Sequence, residues 1–311
     1  MKKINSIHKS IRMQFPETIL KISKEDKKVI VLVGDISHGI FSKFRELNPK
    51  NYYNVGINEC AMVSMASGLS KIGYIPVVHT IAPFLIERTY EQIKLNFALQ
   101  NQNINLVSIG SSFDYSRLGC THHCYSDISI LSHFKNAKIF IPGSADEFDC
   151  LFLKNYNKPG IKYFRIIENN TNFRLNKNNI LKGSIKLSHG KDLTIVTLPS
   201  TLDKVLIASK FLKKKGINID VIYVNCMKPF NTQVINDSIS RTNKLLVVED
   251  LSKHDGLLNL CLRSQSKIKN LTFDHIAVND FIRIYGDYHT LCRSSGLTIS
   301  NIIKKSLEFF K

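Results

Sequence analysis

The residue in this sequence best suited to chemistry is Glu59, a single carboxylate inside a small and apolar run. That run, NVGINECAMVSMASG, extends from Asn54 to Gly68. Its apolar residues recur at the i, i+3 and i+4 spacing of a buried helix, and Asn58 is suited to cap that helix. A carboxylate among apolar neighbours is costly unless it has a partner. Helix physics alone leaves two interpretations open: Glu59 complements the helix dipole, or it shares a proton with a bound group.

A second concentration of reactive side chains is CTHHC, from Cys120 to Cys124. Zinc is one interpretation, but no second Cys/His pair follows at zinc-finger spacing, so we predict no metal site. The sequence has 7 cysteines, an odd number scattered along the chain. This pattern indicates reduced thiols and not a disulfide framework.

Composition limits the remaining classes of function. The chain has 311 residues and 43% hydrophobic content, which is enough for two domains. Its formal charge of +18 is spread along the chain with no basic stripe, so we expect neither nucleic-acid nor membrane binding. The charged N-terminal stretch lacks the apolar segment of a signal peptide, and no window has the roughly 18 apolar residues of a membrane span. We expect a cytoplasmic protein.

The elements that must position these residues alternate between short apolar strands and amphipathic helices. This alternation predicts an α/β fold with two domains, each a largely parallel sheet flanked by helices. Residues 173–182 are polar and aperiodic, which indicates a linker. Strands are predicted at 29–33, 74–81, 104–109, 138–141, 192–198, 219–224, 244–249 and 275–278. Helices are predicted at 36–47, 58–72, 86–100, 145–155, 203–215 and 300–310.

Several separated stretches together resemble the C-terminal half of the transketolase family of thiamine diphosphate enzymes. The likeness runs in order from about Ile11 to the C-terminus. It implies a pyrimidine-binding domain over residues 1–175 and a transketolase C-terminal domain over residues 176–311. The stretches are VLVGDIS from Val31, VGINECAM from Val55, GYIPVV from Gly73, APFLIERTYEQI from Ala82, LGCTHH from Leu118, SDISIL from Ser126, IPGSADE from Ile141, KPF from Lys228, VED from Val248 and HDGL from His254.

The resemblance gives Glu59 a specific role. In this family the corresponding glutamate bonds N1′ of the aminopyrimidine of thiamine diphosphate. Proton sharing there favours the 4′-imino tautomer, which removes the C2 proton of the thiazolium, and the cofactor then stores the carbanion. The resemblance also implies that Ile57 contacts the cofactor and that Phe84 stacks on the pyrimidine. The segment before Arg88 is one residue longer than in the deoxyxylulose-phosphate synthases, which can shift the stacking position.

Other residues match the substrate side of the family's site. His122 corresponds to the histidine that contacts sugar hydroxyls and can relay a proton, and His123 is a candidate assistant. Arg88 and Arg165 match arginines near the substrate channel, where a guanidinium fork grips phosphate oxygens; each could equally form a structural ion pair. Leu118 departs from the family, because an aspartate is usual there, and a hydrogen-bond acceptor for the sugar is lost.

The resemblance covers only part of an enzyme, because the sequence contains no G-D-G motif of the diphosphate-binding module. It therefore implies a separately encoded N-terminal partner that supplies the Mg²⁺ ligands, and an α2β2 assembly with cofactor sites at the interfaces between chains. The expected activity is two-carbon ketol transfer between sugars or sugar phosphates. Alternatives are a deoxyxylulose-phosphate-synthase-like subunit, a 2-oxoacid dehydrogenase E1 β subunit, or a non-catalytic regulatory subunit.

Overall fold

The computed structural model describes residues 10–168, 171–263 and 270–311. The predicted lack of a signal peptide rests partly on residues 1–9, which lie outside these ranges. The strands are β1 Val29–Val33, β2 Tyr52–Asn54, β3 Ile75–Ile81, β4 Ile104–Ile109, β5 Ala137–Phe140, β6 Ile161–Arg165, β7 Ser184–Lys186, β8 Leu193–Thr197, β9 Ile219–Val224, β10 Cys226–Lys228, β11 Lys244–Ser252 and β12 Thr272–Val278. The α-helices are α1 Ile11–Glu25, α2 Ser42–Leu47, α3 Glu59–Lys71, α4 Tyr90–Gln92, α5 Asp127–Ser132, α6 Ala145–Asn155, α7 Lys177–Ile180, α8 Pro199–Lys214, α9 Gln233–Thr242, α10 Leu257–Arg263, α11 Tyr288–Ser294 and α12 Ile299–Glu308.

The strands form two sheets. The first has 7 strands in the order β10-β5-β6-β4-β3-β1-β2, and the second has 5 in the order β12-β11-β8-β9-β7. Among these strands of the described residues, all pairings are parallel except those of β10 with β5 and β7 with β9. Parallel strands need crossover helices and are covered on both faces. This requirement explains why β1, β4 and β9 are buried along their whole length.

This architecture confirms the predicted fold class of two largely parallel sheets flanked by helices. The predicted strands at 29–33, 104–109 and 219–224 and the helix at 145–155 have the observed bounds. The predicted linker at 173–182 contains the short helix α7. The proposed domain boundary between residues 175 and 176 stays a prediction.

The two sheets are joined by buried polar contacts as well as by apolar packing. Strand β10 follows β9 of the second sheet, yet it pairs with β5 of the first. Glu147 on α6 accepts a hydrogen bond of 2.8 Å from the hydroxyl of Tyr223 on β9. Within the described residues, no helix is long and apolar enough to cross a membrane.

Candidate active site

Glu59 is the first residue of α3, and its side chain is only 2% exposed. The Asn58 side chain caps the helix by accepting a hydrogen bond from the backbone N–H of Ala61. Met62 and Val63, on the same helix, are fully buried in the core beside β1 and β3. The helix N-terminus favours a negative charge at this position. The fold therefore holds a buried carboxylate at a fixed place, as the sequence predicted.

Arg88 provides the partner that this buried carboxylate requires. Its Nη1 donates to Glu59 Oε2 at 2.6 Å, and the Arg88 side chain remains 44% exposed. The guanidinium carbon also lies 4.2 Å from the centre of the Phe84 ring, in a cation–π contact. Arg88 is thus bonded to the carboxylate and stacked on the aromatic ring at the same time.

Phe84 connects this pair to the histidine loop. Its ring and the ring of His122 meet edge to face, with centroids 5.3 Å apart and an interplanar angle of 71°. The side chain of His122 is half-buried, and its Nδ1 lies 3.1 Å from the hydroxyl of Thr121. Three segments distant in sequence therefore place Glu59, Arg88, Phe84 and His122 in one continuous row of contacts, which we call the Glu59–His122 row.

The segment that carries Phe84 and Arg88 has an unusual backbone. A π-helix spans Pro83–Glu87, and a second spans Ile93–Ala98. A π-helical turn accommodates one extra residue within a helix and is frequent at functional sites. The predicted helix at 86–100 therefore starts earlier than expected and is largely π-helical.

Two other predicted site residues, Ile57 and His123, do not join the Glu59–His122 row, and neither does Leu118, the residue that departs from the family pattern. Ile57, on the loop before α3, is 77% exposed and available to a partner or ligand. His123 is 4% exposed, and its Nδ1 lies 2.8 Å from the hydroxyl of Tyr125. His123 therefore faces a different space from His122, although the two are adjacent. Leu118 is 51% exposed and supplies no acceptor where the family usually has an aspartate.

Arg165 lies apart from the Glu59–His122 row, in a buried network of ion pairs, which favours the structural role that the sequence left as its alternative. Its side chain is completely buried, with Nε donating to Asp127 Oδ2 at 2.8 Å and Nη2 donating to Ser112 Oγ at 2.7 Å. Nη1 lies 3.7 Å from Asp250 Oδ2 at the end of β11. With no exposed surface, Arg165 acts as the structural ion pair that the sequence left as its alternative. It ties β6 to the second sheet.

The cysteine and histidine run does not assemble a metal site. Among the described residues, no group of three or more His, Cys, Asp or Glu side chains is placed to hold a metal ion. Cys120 is exposed, whereas Cys124 is buried, and burial raises the pKa of its thiol well above the usual value. A thiol held in its neutral form is a poor metal ligand.

Comparisons with known proteins identify the two domains of the chain. The family model of the transketolase pyrimidine-binding domain matches residues 8–174, and that of the transketolase C-terminal domain matches residues 182–302. The chain is 27% identical to an apulose-4-phosphate transketolase subunit of Phocaeicola vulgatus, over 96% of this chain and 97% of that protein. It is 25% identical to a putative transketolase C-terminal section of Methanocaldococcus jannaschii, over 100% of this chain and 99% of that protein. A solved split gene transketolase, an inactive beta4 tetramer, superposes with a TM-score of 0.85 at 23% identity, over 97% and 98% of the two chains.

The fold and the matched domains define a protein of the transketolase family, to which this chain belongs. Within that family it corresponds to the C-terminal subunit of a split transketolase, a transferase that depends on thiamine diphosphate. The Glu59–His122 row fits an aminopyrimidine ring. A buried carboxylate at a helix N-terminus can bond a ring nitrogen, and the half-buried Phe84 offers a face for stacking.

Sequence reasoning missed one acidic residue beside this row. Glu87 precedes Arg88 in the π-helix, and its Oε1 accepts a hydrogen bond from the hydroxyl of Ser126. Burial raises the pKa of Glu87, and the bond from Ser126 partly offsets that effect. No local sequence signal pointed to it, because its contact with Ser126 joins residues 39 positions apart.

Proposed function

We propose that this chain supplies the aminopyrimidine-binding half of a transketolase site and that Glu59 is its essential proton-handling group. The enzyme would transfer a two-carbon ketol unit between sugars or sugar phosphates. The contact of Arg88 with both Glu59 and Phe84 carries the proposal. The planar, nitrogen-donating guanidinium makes the two interactions that an aminopyrimidine would make there, a hydrogen bond to the carboxylate and a stack on the ring.

Glu59, Phe84 and Arg88 each have a separate role in such a site. Glu59 holds a proton at its carboxylate oxygen against a ring nitrogen, and the apolar packing of α3 keeps water from competing. Phe84 orients the ring. When bound, thiamine diphosphate supplies the nucleophilic carbon and the electron sink for the transferred unit. Arg88 must first release Glu59, and its exposed guanidinium is then free to bind a substrate phosphate.

His122 is the residue we assign to the substrate. Its imidazole lies at the open end of the Glu59–His122 row and is only half-buried. An imidazole there can accept or return a proton at a sugar hydroxyl. The loss of the family aspartate at Leu118 means that hydroxyls must find acceptors elsewhere.

The partner chain is the second part of the proposal. Met65 on α3 and Ile72, which directly follows this helix, form an apolar surface with the exposed Gly68 between them, which we call the α3 face. The Met65 side chain is 42% exposed and the Ile72 side chain 73%. Leu99, after the second π-helix, is 76% exposed. Such a surface is typical of an interface. We propose that it contacts an N-terminal subunit carrying the G-D-G motif and the Mg²⁺ ligands, within a cytoplasmic α2β2 assembly. The inactive beta4 tetramer of the related split gene transketolase supports the need for a partner.

The experiment is to assemble the purified chain with a G-D-G-containing partner and to compare wild type with Glu59→Gln. The glutamine amide keeps the shape of the side chain but does not gain and lose a proton as a carboxylate does. We expect turnover to fall by orders of magnitude while the assembly, measured by light scattering, remains intact. Unchanged turnover would favour the regulatory alternative.

The choice of donor separates the enzymatic alternatives. A ketose donor tests ketol transfer, and pyruvate tests the deoxyxylulose-phosphate-synthase and 2-oxoacid dehydrogenase types of reaction. We expect two-carbon transfer from the ketose and no decarboxylation of pyruvate. Decarboxylation of pyruvate with an inert ketose would reject the transketolase assignment.

A further inference from the structure

The aromatic ring of Tyr285 lies on the backbone of Gly119, directly before the turn Cys120–His122. A Cβ atom at Gly119 would lie 2.6 Å from Cε1 of Tyr285 and 3.1 Å from its hydroxyl oxygen. The phenol end of the ring is therefore in van der Waals contact with the glycine, and any larger residue would displace it. This contact joins the C-terminal domain to a loop of the pyrimidine-binding domain.

The backbone of Gly119 determines where His122 lies. Gly119 has a φ of 79° and a ψ of −178°, a conformation that is essentially restricted to glycine. Its carbonyl oxygen accepts a hydrogen bond of 3.0 Å from the backbone N–H of His122, which closes the turn Cys120–His122. A shift of Gly119 would therefore shift His122 with it.

The imidazole of His122 depends on this turn for its position. Within the described ranges, its only side-chain hydrogen-bond partner is the hydroxyl of Thr121, which belongs to the same turn. Its ring meets the Phe84 ring edge to face, with centroids 5.3 Å apart. The turn thus has two aromatic contacts: Phe84 packs on the imidazole, and Tyr285 packs on Gly119.

Tyr285 is exposed, but the segment that carries it is anchored on both sides. Ile282 is 7% exposed and belongs to the apolar core around the second sheet. Asp287 caps α11 by accepting a hydrogen bond of 2.7 Å from the backbone N–H of Thr290. The backbone of Tyr285 is therefore held beside the turn. Because its side chain is 73% exposed, replacing it should cost little folding stability.

We propose that Tyr285 is a positioning residue for His122, through which the C-terminal domain takes part in handling the substrate. The Tyr285 ring fixes Gly119, and the turn that follows holds the imidazole against Phe84 at the open end of the Glu59–His122 row. This role rests on the assignment of His122 to the substrate under the proposed function. An imidazole that transfers a proton must lie within hydrogen-bond reach of its hydroxyl, so a displacement of about 1 Å is enough to lower the rate strongly.

The test compares Tyr285→Phe and Tyr285→Ala in the enzyme assembled with a G-D-G-containing partner. Phenylalanine keeps the ring on Gly119 and should retain kcat/KM for the sugar within about twofold. Alanine leaves Gly119 uncovered and should lower kcat/KM by about tenfold or more. The dissociation constant of thiamine diphosphate should stay unchanged in both variants, because Glu59 and Phe84 keep their own contacts.

Tyr74→Ala is the matched control, because Tyr74 is another partly exposed tyrosine and precedes β3, at the opposite end of that strand from the segment with Phe84. It should change neither kcat/KM nor cofactor binding. The proposal is overturned if Tyr285→Ala retains wild-type kcat/KM, if Tyr285→Phe loses as much as Tyr285→Ala, or if cofactor binding falls in parallel with turnover.

A double-mutant cycle shows whether Tyr285 acts through His122. In a His122→Ala background, Tyr285→Ala should lower turnover no further, because the residue that it positions is already missing. A further loss in that background would mean that Tyr285 acts independently of His122, and it would overturn the proposal.

Chemical labelling of the full-length chain provides a readout without turnover. Diethyl pyrocarbonate modifies neutral imidazoles, and mass spectrometry gives the modification rate of each histidine. The rate at the half-buried His122 should rise several-fold in Tyr285→Ala and stay at the wild-type value in Tyr285→Phe, with the exposed His189 as the internal reference. An unchanged rate at His122 in Tyr285→Ala would overturn the proposal. Full turnover by His122→Ala would instead refute the substrate role of His122, and the labelling rates would still decide whether Tyr285 positions that residue.

Discussion

The double contact of Arg88 predicts that this residue competes with the cofactor. Replacing it with methionine keeps a flexible side chain that can pack on Phe84 but removes the bond to Glu59. The cofactor-free variant leaves a carboxylate that is 2% exposed without its partner. Its free energy of unfolding should fall by about 1–3 kcal/mol, the usual cost of an unpaired buried polar group.

Loss of the bond between Arg88 and Glu59 should strengthen binding of the cofactor. In the wild type, a bound aminopyrimidine must first displace the guanidinium from Glu59 and from the Phe84 ring. Because Arg88 is 44% exposed, water recovers part of that interaction, which we place at about 1–2 kcal/mol. At 1.4 kcal/mol per factor of ten, Arg88→Met should tighten thiamine diphosphate binding by roughly 5- to 30-fold.

The assay is calorimetric titration of the cofactor into the assembled enzyme, with and without the substitution. Arg45→Met is the matched control, because Arg45 is an exposed arginine that pairs with His38 away from the site. It should leave the dissociation constant unchanged. Unaltered or weaker cofactor binding by Arg88→Met would refute the competition.

Three further predictions concern assembly, packing and pH. A Cβ added at Gly68 meets no atom within 4 Å, so Gly68→Lys should leave the chain folded but prevent its association with the partner in size-exclusion chromatography; an intact assembly would exclude the α3 face as the interface. Arg165→Met leaves Asp127 and Asp250 buried without their cation and should lower the free energy of unfolding by about 3–5 kcal/mol in urea titrations; a small effect would contradict its structural role. Burial lowers the pKa of His79 from 6.5 to about 4, so the unfolded chain binds this proton first as the pH falls. Stability should therefore decrease between those two pH values by up to about 3 kcal/mol, and His79→Gln should flatten the slope of that decrease.

The parts of the fold that follow from local patterns were predictable from the sequence. The strand at Val29–Val33 is a continuous apolar run, and α6 is amphipathic with the Ser144 side chain as its N-cap. Strand β6 was missed because Lys162 and Arg165 make it look polar. Both are buried there because other groups satisfy their donors: carbonyl and amide oxygens for Lys162, and carboxylates for Arg165. The carboxylates that satisfy Arg165 belong to Asp127 and Asp250, which are distant in the sequence, so a local pattern does not show them.

For the candidate site as well, local features were predictable from the sequence and long-range contacts were not. The place of Glu59 on its helix follows from Asn58 and from the apolar spacing around it. Its partner Arg88 is 29 residues away, and no periodicity links the two. Likewise, the neighbours His122 and His123 look equivalent in the sequence. The turn Cys120–His122 and the hydroxyl of Tyr125 send their rings into separate spaces.

The pairing of β10 with β5 has a practical consequence for anyone who dissects this chain. Truncation after the predicted linker would remove β10 and leave the backbone groups of β5 unpaired at a bare sheet edge. Bare edges recruit strands from other molecules, so an isolated first half should aggregate when it is expressed alone. The two halves should therefore be expressed together, and a gene that is divided for engineering should not be cut between them.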